Sequence, residues 1–282
     1  MRPIDVRHLG SEKVICAWEV DGVLVDPGPQ STEETLLEAL GEVAPRAILL
    51  THIHFDHAGA TGALLRRWPD LPVFVLEKGA PHMASPERLV ASAARLYGGE
   101  AAMRELWGEV VPVPESSLRP LQGGETVLDA FRVAYTPGHA SHHVAYLHES
   151  SGMAFVGDVA GVRVPPSQYV IAPTPPPDVD VEAWEGSLDQ LEEWAPDALA
   201  LTHFGRVDDV APHLTRTRER LHEAVMLARA HGQEAFVAGV RQRVEEHTGD
   251  LAPAYEQAAP PEQLFLGLQR YLRKREEAAA AG

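Results

Sequence analysis

Apolar positions come in short runs along most of the chain, and the punctuation between the runs predicts the elements. Val14 to Asp26 alternates apolar stretches about a turn at Asp21-Gly22, the pattern of a β-hairpin that ends in Leu24-Val25-Asp26-Pro27-Gly28. A helix follows, capped by Ser31 or Thr32 and running through Leu40, and Ala47-Ile48-Leu49-Leu50-Thr51 then suits a short buried strand. The next helix is predicted to begin near Asp56 to Ala58 and to end at Trp68, before Pro69; Pro72 to Leu76 supplies another strand.

Between Lys78 and Pro120 the period changes. Leu89, Val90, Ala93, Leu96 and Tyr97 recur at helical spacing, and Gly98-Gly99 separates a second helical stretch, so this segment predicts a helical excursion. Strand signals return at Glu125 to Val127, Phe131 to Tyr135, Val144 to Leu147 and Met153 to Val156. Pro165 to Pro177 is a loop stiffened by fixed φ angles and suited to wall a pocket. Val181 to Trp194 predicts a helix, Ala198 to Thr202 a last strand, and from Pro212 onward the pattern is helical with a break around Gly249 to Pro261. Strands alternating with helices predict an α/β sandwich of two sheets flanked by helices. The expected division is a catalytic domain at 1–210, with the excursion at 78–120, and a C-terminal helical extension at 211–282.

Composition narrows the function. The chain has 282 residues, enough for a two-layer core. Its 24 Lys and Arg face 41 Asp and Glu, a net charge of −17, which opposes a phosphate backbone and argues against nucleic acid as partner. A small-molecule substrate is expected instead. Cys16 is the single cysteine, Met1 to Leu9 has no apolar core of signal-peptide length, and no run of about 18 apolar residues occurs. These features predict a cytoplasmic protein without a membrane span.

The chemistry is concentrated in Thr51-His52-Ile53-His54-Phe55-Asp56-His57-Ala58-Gly59, directly after a predicted strand. In extended chain His52 and His54 project to the same side and can reach one metal, while the turn into a helix redirects Asp56 and His57 toward a second. Imidazole and carboxylate donors suit zinc, and also iron, manganese or nickel. Further donors end other strands: His139 in Thr136-Pro137-Gly138-His139, Asp158 in Gly157-Asp158, and His203 in Leu201-Thr202-His203. Ligands at several strand ends converge on one rim of a sheet, where loops leave a metal open to substrate. Leu-Thr-His occurs twice, at Leu50 to His52 and at Leu201 to His203, as would suit two similar halves facing one site.

The ordered pattern HxHxDH, TPGH, GD and a last His, spanning Asp26 to His203, resembles the metallo-β-lactamase superfamily, specifically its glyoxalase II-like branch. The resemblance implies an αβ/βα sandwich. It implies one metal on His52, His54 and His139, a second on Asp56, His57 and His203, with Asp158 bridging and Asp26 orienting a ligand from behind. Two divalent ions, zinc in the first instance with iron or manganese as alternatives, would then activate a bridging water, and Asp56 would accept or donate the proton. The segment after Asp158, Val159 to Pro166, lacks the Gly-, Arg- and aromatic-rich run with which glyoxalase II holds glutathione, so a small ester, lactone or thioester is the expected substrate class. The alternative is a mononuclear iron persulfide dioxygenase, in which Asp56 and His203 would stand outside the coordination sphere. His143 and Tyr169 are candidates for substrate contact, as is His142. His8, His82, His148, His213, His222, His231 and His247 have no partner spacing and are expected at the surface or in helix packing.

Overall fold

The computed structural model describes residues 1–41 and 43–281. Two mixed sheets of six strands each face one another. The first runs in the order β1 (Arg2–Asp5), β2 (Cys16–Val20), β3 (Val23–Val25), β4 (Ala47–Leu49), β5 (Val73–Leu76), β6 (Leu118–Leu121). In the second, β7 (Thr126–Val127), β8 (Phe131–Tyr135), β9 (Val144–His148), β10 (Met153–Gly157), β11 (Ala198–Leu201) and β12 (Gly205–Val207) lie in sequence order from one edge to the other.

The central strands are apolar at nearly every position because both of their faces are covered. Alternate residues go to two different cores. Leu49, Phe155 and Ala200 point between the sheets, with Trp18, Phe131 and Tyr146. Their neighbours Ile48, Ala154 and Leu199 point outward beneath the helices.

The helices are α1 (Glu33–Leu40), α2 (Phe55–Ala58), α3 (Thr61–Arg67), α4 (Ala80–Ala84), α5 (Glu87–Tyr97), α6 (Glu100–Trp107), α7 (Val181–Trp194), α8 (Val210–Ala230), α9 (Gln233–Thr248), α10 (Ala252–Ala258) and α11 (Pro261–Ala281). No helix among the described residues is long and apolar enough to cross a membrane. The C-terminal helices share the outer core: Leu214, Leu221, Phe236, Tyr255 and Phe265 belong to the same buried cluster as Trp184 and Leu188 of α7. Tyr255 ties them to the proline-rich loop, its hydroxyl accepting from Val164 N at 2.9 Å and donating to Tyr169 O at 2.8 Å.

The two-sheet α/β sandwich and the Asp21-Gly22 hairpin are as the pattern predicts, and the αβ/βα layering is as the resemblance implies; both turn residues take positive φ, 50° and 76°. Several boundaries differ. The single helix expected from about Asp56 to Trp68 is two, α2 and α3, separated by Gly59 and Ala60. The excursion at 78–120 is not helical to its end, since β6 begins at Leu118. Its Pro120 is tolerated because β6 is an edge strand. β1 and β12 were not predicted, and the C-terminal break contains α10.

Gly138 shows how closely the loops are packed. It has φ +130°, and a Cβ there would fall on the backbone and Cβ of Trp184. Gly138→Ala is therefore expected to lower stability by about 1–3 kcal/mol, read as a shift in the denaturation midpoint. An unchanged midpoint would mean that the loop gives way without cost.

Candidate metal centre

β8, β10 and β11 run in the same direction, so their C-terminal ends meet at one edge of the second sheet. The exit of β4 in the first sheet comes to the same edge, where Thr51 O accepts from Val144 N at 2.8 Å. His52, His139, Asp158 and His203 follow these four exits directly, and the turn after Ile53 into α2 adds His54, Asp56 and His57.

The seven residues form two groups. Donor atoms of His52, His54, His139 and Asp158 lie within 4.8 Å of one another, and so do those of Asp56, His57 and His203. His54 Nδ1 is 3.0 Å from the Nε2 atoms of both His52 and His139. Asp158 stands between the groups. Its Oδ2 is 3.3 Å from His139 Nε2, while its Oδ1 is 3.1 Å from His57 Nε2 and 3.5 Å from His203 Nε2. Asp56 Oδ2 closes the second group at 3.3 Å from His203 Nε2 and 3.8 Å from His57 Nε2.

The imidazoles are oriented from behind. His139 Nδ1 donates to Pro173 O at 2.8 Å and His203 Nδ1 to Val14 O at 2.6 Å, so each keeps an Nε2 lone pair for the site. Asp26, fully buried with φ +46°, orients two more. Its Oδ2 accepts from His57 Nδ1 at 2.8 Å and from the Thr51 hydroxyl at 2.6 Å. With that hydroxyl proton committed, Thr51 Oγ1 accepts from His52 Nδ1 at 3.1 Å, which directs the His52 Nε2 lone pair inward. Among the described residues, His57 Nε2, His203 Nε2 and Asp158 Oδ1 are buried without a hydrogen-bond partner. Three inward donors of this kind, clustered and desolvated, fit a divalent cation.

The Metallo-beta-lactamase superfamily model matches residues 20–203, more than half of the chain. The chain belongs to this superfamily, a family of metal-dependent hydrolases. Metallo-beta-lactamase fold-containing protein ST1585 of Sulfurisphaera tokodaii is 27% identical over 216 residues, covering 73% of this chain and 76% of its own. Its crystal structure superposes with a TM-score of 0.61, at 25% identity and 76% and 81% coverage. TTHA1623, solved in a di-iron-bound form, gives a TM-score of 0.54 at 28% identity, over 72% of this chain and 91% of its own. A hydroxyacylglutathione hydrolase of Synechococcus sp. is 32% identical over 140 residues, 48% of this chain and 42% of that protein. The chain thus spans under half the length of that relative and lies, by these similarities, in the glyoxalase II-like branch of the superfamily.

Electrostatics divide the site in two. Burial, reinforced by neighbouring imidazoles, pushes His52 well below its ordinary value and His54 down to about 4, and burial also lowers His139. These three are neutral, as ligands must be. Burial acts the same way on His57 and His203 but is outweighed, in His57 by Asp158, Asp56 and Asp26, and in His203 by Asp158 and Asp56. Both are raised. Burial would raise the two carboxyls, yet the facing imidazoles, His57 foremost, hold Asp158 and Asp56 well below the carboxylate range.

A cavity of about 390 Å³ opens above the site, floored by His54, Asp56, Asp158 and His142. Its walls come from α5, the α10–α11 junction and the proline-rich loop, the last of which the sequence marks as suited to wall a pocket. Two sequence candidates lie elsewhere. His143 is fully buried beneath Asp158, its Nδ1 on Thr136 Oγ1 at 2.8 Å and its Nε2 accepting from Asp158 N at 3.3 Å, so it supports the loop that carries Asp158 and is not among the residues lining the cavity. Tyr169 stacks on His247 at 5.0 Å beneath the Arg220 guanidinium, away from the metal centre, because the proline-rich loop turns that residue toward α8 and α9. His142 does line the cavity, and burial takes it down to about 3. His8, expected at the surface or in helix packing, is buried and stacked on Trp107 at 5.0 Å. No sequence spacing marks it.

Two outcomes follow for metal binding. Asp26→Asn removes the anion behind His57 and Thr51 and is expected to weaken metal affinity about 10–100-fold, measured by chelator competition. With His57 raised well above its ordinary value, the metal-free protein carries a proton there at neutral pH that a cation must displace. Metal binding should therefore release protons and tighten as pH rises, as read by titration calorimetry in buffers of different ionisation enthalpy. Binding with no proton release would contradict this assignment.

Proposed function

We propose that the chain is a binuclear hydrolase acting on a small ester, lactone or thioester. The observation that carries this reading is Asp158, whose two oxygens face two separate donor groups at the floor of one cavity. Two divalent cations bound there would supply Lewis acidity and an acidified water at neutral pH. The chain's own residues would do the remaining work. Asp56 keeps part of its carboxylate open to the cavity while Oδ2 faces His203, so it can take up a proton as water attacks and return it to the leaving group. α5 and the proline-rich loop cover the floor and limit bulk water, which strengthens each of these charge interactions.

Zinc is the proposed metal, and iron is the alternative that similarity to the di-iron-bound TTHA1623 supports. The hydroxyacylglutathione hydrolases among the relatives support the thioester arm of the substrate class. The mononuclear persulfide dioxygenase reading is not favoured, because Asp56 and His203 stand with His57 as a second donor set. A reducing cytoplasm suits the lone Cys16, whose buried thiol is pushed up to about 12 by desolvation.

Elemental analysis of protein purified without added metal, with a screen of p-nitrophenyl esters, lactones and thioesters, tests the proposal. Two ions per chain and a fall in kcat of about 10²–10⁴ in Asp56→Ala are expected. One iron per chain with oxygen consumption on a persulfide would overturn it.

A further inference from the structure

α5 roofs the cavity with one of its faces. Arg88, Leu89, Ser92, Ala93, Leu96 and Tyr97 line the space at helical spacing, so the slot follows the helix for about 13 Å of its axis. Pro173, Pro175 and Pro176 of the proline-rich loop and Ala258, Ala259 and Leu264 of the α10–α11 junction line it as well. Carbon therefore makes up most of the lining.

Several of the polar groups in these walls are engaged by protein partners. Tyr97 OH donates to Gln263 Oε1 at 3.4 Å, the Ser141 hydroxyl donates to Asp178, and Lys78 Nζ donates to Tyr135 OH at 2.7 Å. Leu96 nevertheless remains 44% exposed and Leu89 only partly covered. Apolar side chains left open along a cavity that leads to a reactive floor are the usual lining of a ligand site.

We propose that this slot takes an unbranched hydrocarbon acyl chain of medium length, with Ala93, Leu96 and Leu264 setting how long a chain fits. The chemistry rests on the hydrolase reading; the slot does not. Hydrolysis would break the acyl C–O or C–S bond, form a C–O bond to the oxygen of water, and send one proton to the leaving group and one to the medium. The product left in the slot would be a straight-chain carboxylate.

That product gives a probe independent of turnover. Butanoate, hexanoate, octanoate and decanoate titrated calorimetrically into the metal-loaded protein should bind about twofold to fourfold tighter per added methylene, with a negative heat-capacity change. Leu96→Asp and Ser92→Trp both change exposed positions on α5, so the fold should survive. The first should flatten the chain-length dependence, and the second should end it at a shorter chain. Affinity that is flat along the series, or indifferent to both substitutions, would overturn the proposal. The p-nitrophenyl esters of the same acids separate the two readings. Tightening affinity without turnover would support the slot and sink the hydrolase reading, whereas turnover and affinity both indifferent to chain length would sink the slot and leave the hydrolase reading standing.

Discussion

A carboxylate taken out of water costs several kcal/mol unless hydrogen-bond donors replace the solvent. Asp26 receives four: the Thr51 amide and hydroxyl, the Thr202 hydroxyl and His57 Nδ1, all between 2.6 and 3.0 Å. Thr51 leaves the first sheet and Thr202 leaves the second, so this one anion draws the two strand exits together. Cys16 N donating to Thr202 O and Trp18 Nε1 donating to Leu201 O hold the same seam. Through His57 directly, and through Thr51 to His52, Asp26 also orients a histidine in each donor group. The edge where the sheets meet and the site that sits on it thus depend on the same hydrogen bonds.

Charge at that edge is arranged around an expected cation. Asp56 and Asp158 are buried or nearly so, and in the metal-free chain they are balanced by imidazoles, chiefly His57 and His203. The other three imidazoles, crowded together and desolvated, stay neutral. One half of the site is ready to coordinate, while the other must first give up the proton on His57. Rigid strand ends supply this precision, and the less regular segments above them, α5, the proline-rich loop and the α10–α11 junction, are left to shape what can approach.

Much of this was legible along the chain. Histidine and carboxylate positions tied to short apolar strands have few other uses, and their order matched a known family pattern over most of the sandwich. The central strands were equally plain, because a strand covered on both faces is apolar throughout. The strands that went unread were β1, β6 and β12, each an edge strand. Such strands bury few side chains and tolerate Pro3, Pro120 and Arg206, so their composition carries little periodic signal. The repeated Leu-Thr-His was visible as a coincidence of letters; only the fold shows both threonines meeting on Asp26.

The sequence by itself determined the sandwich class, the candidate donors and the proline-rich wall of the cavity, because these depend on local residue type and on period. Tertiary structure alone decided that His143 supports Asp158 and that Tyr169 faces α8 and α9. It alone brought His8 against Trp107. A side chain's direction in a loop depends on what the rest of the molecule packs against it, and that information lies in residues far away along the chain.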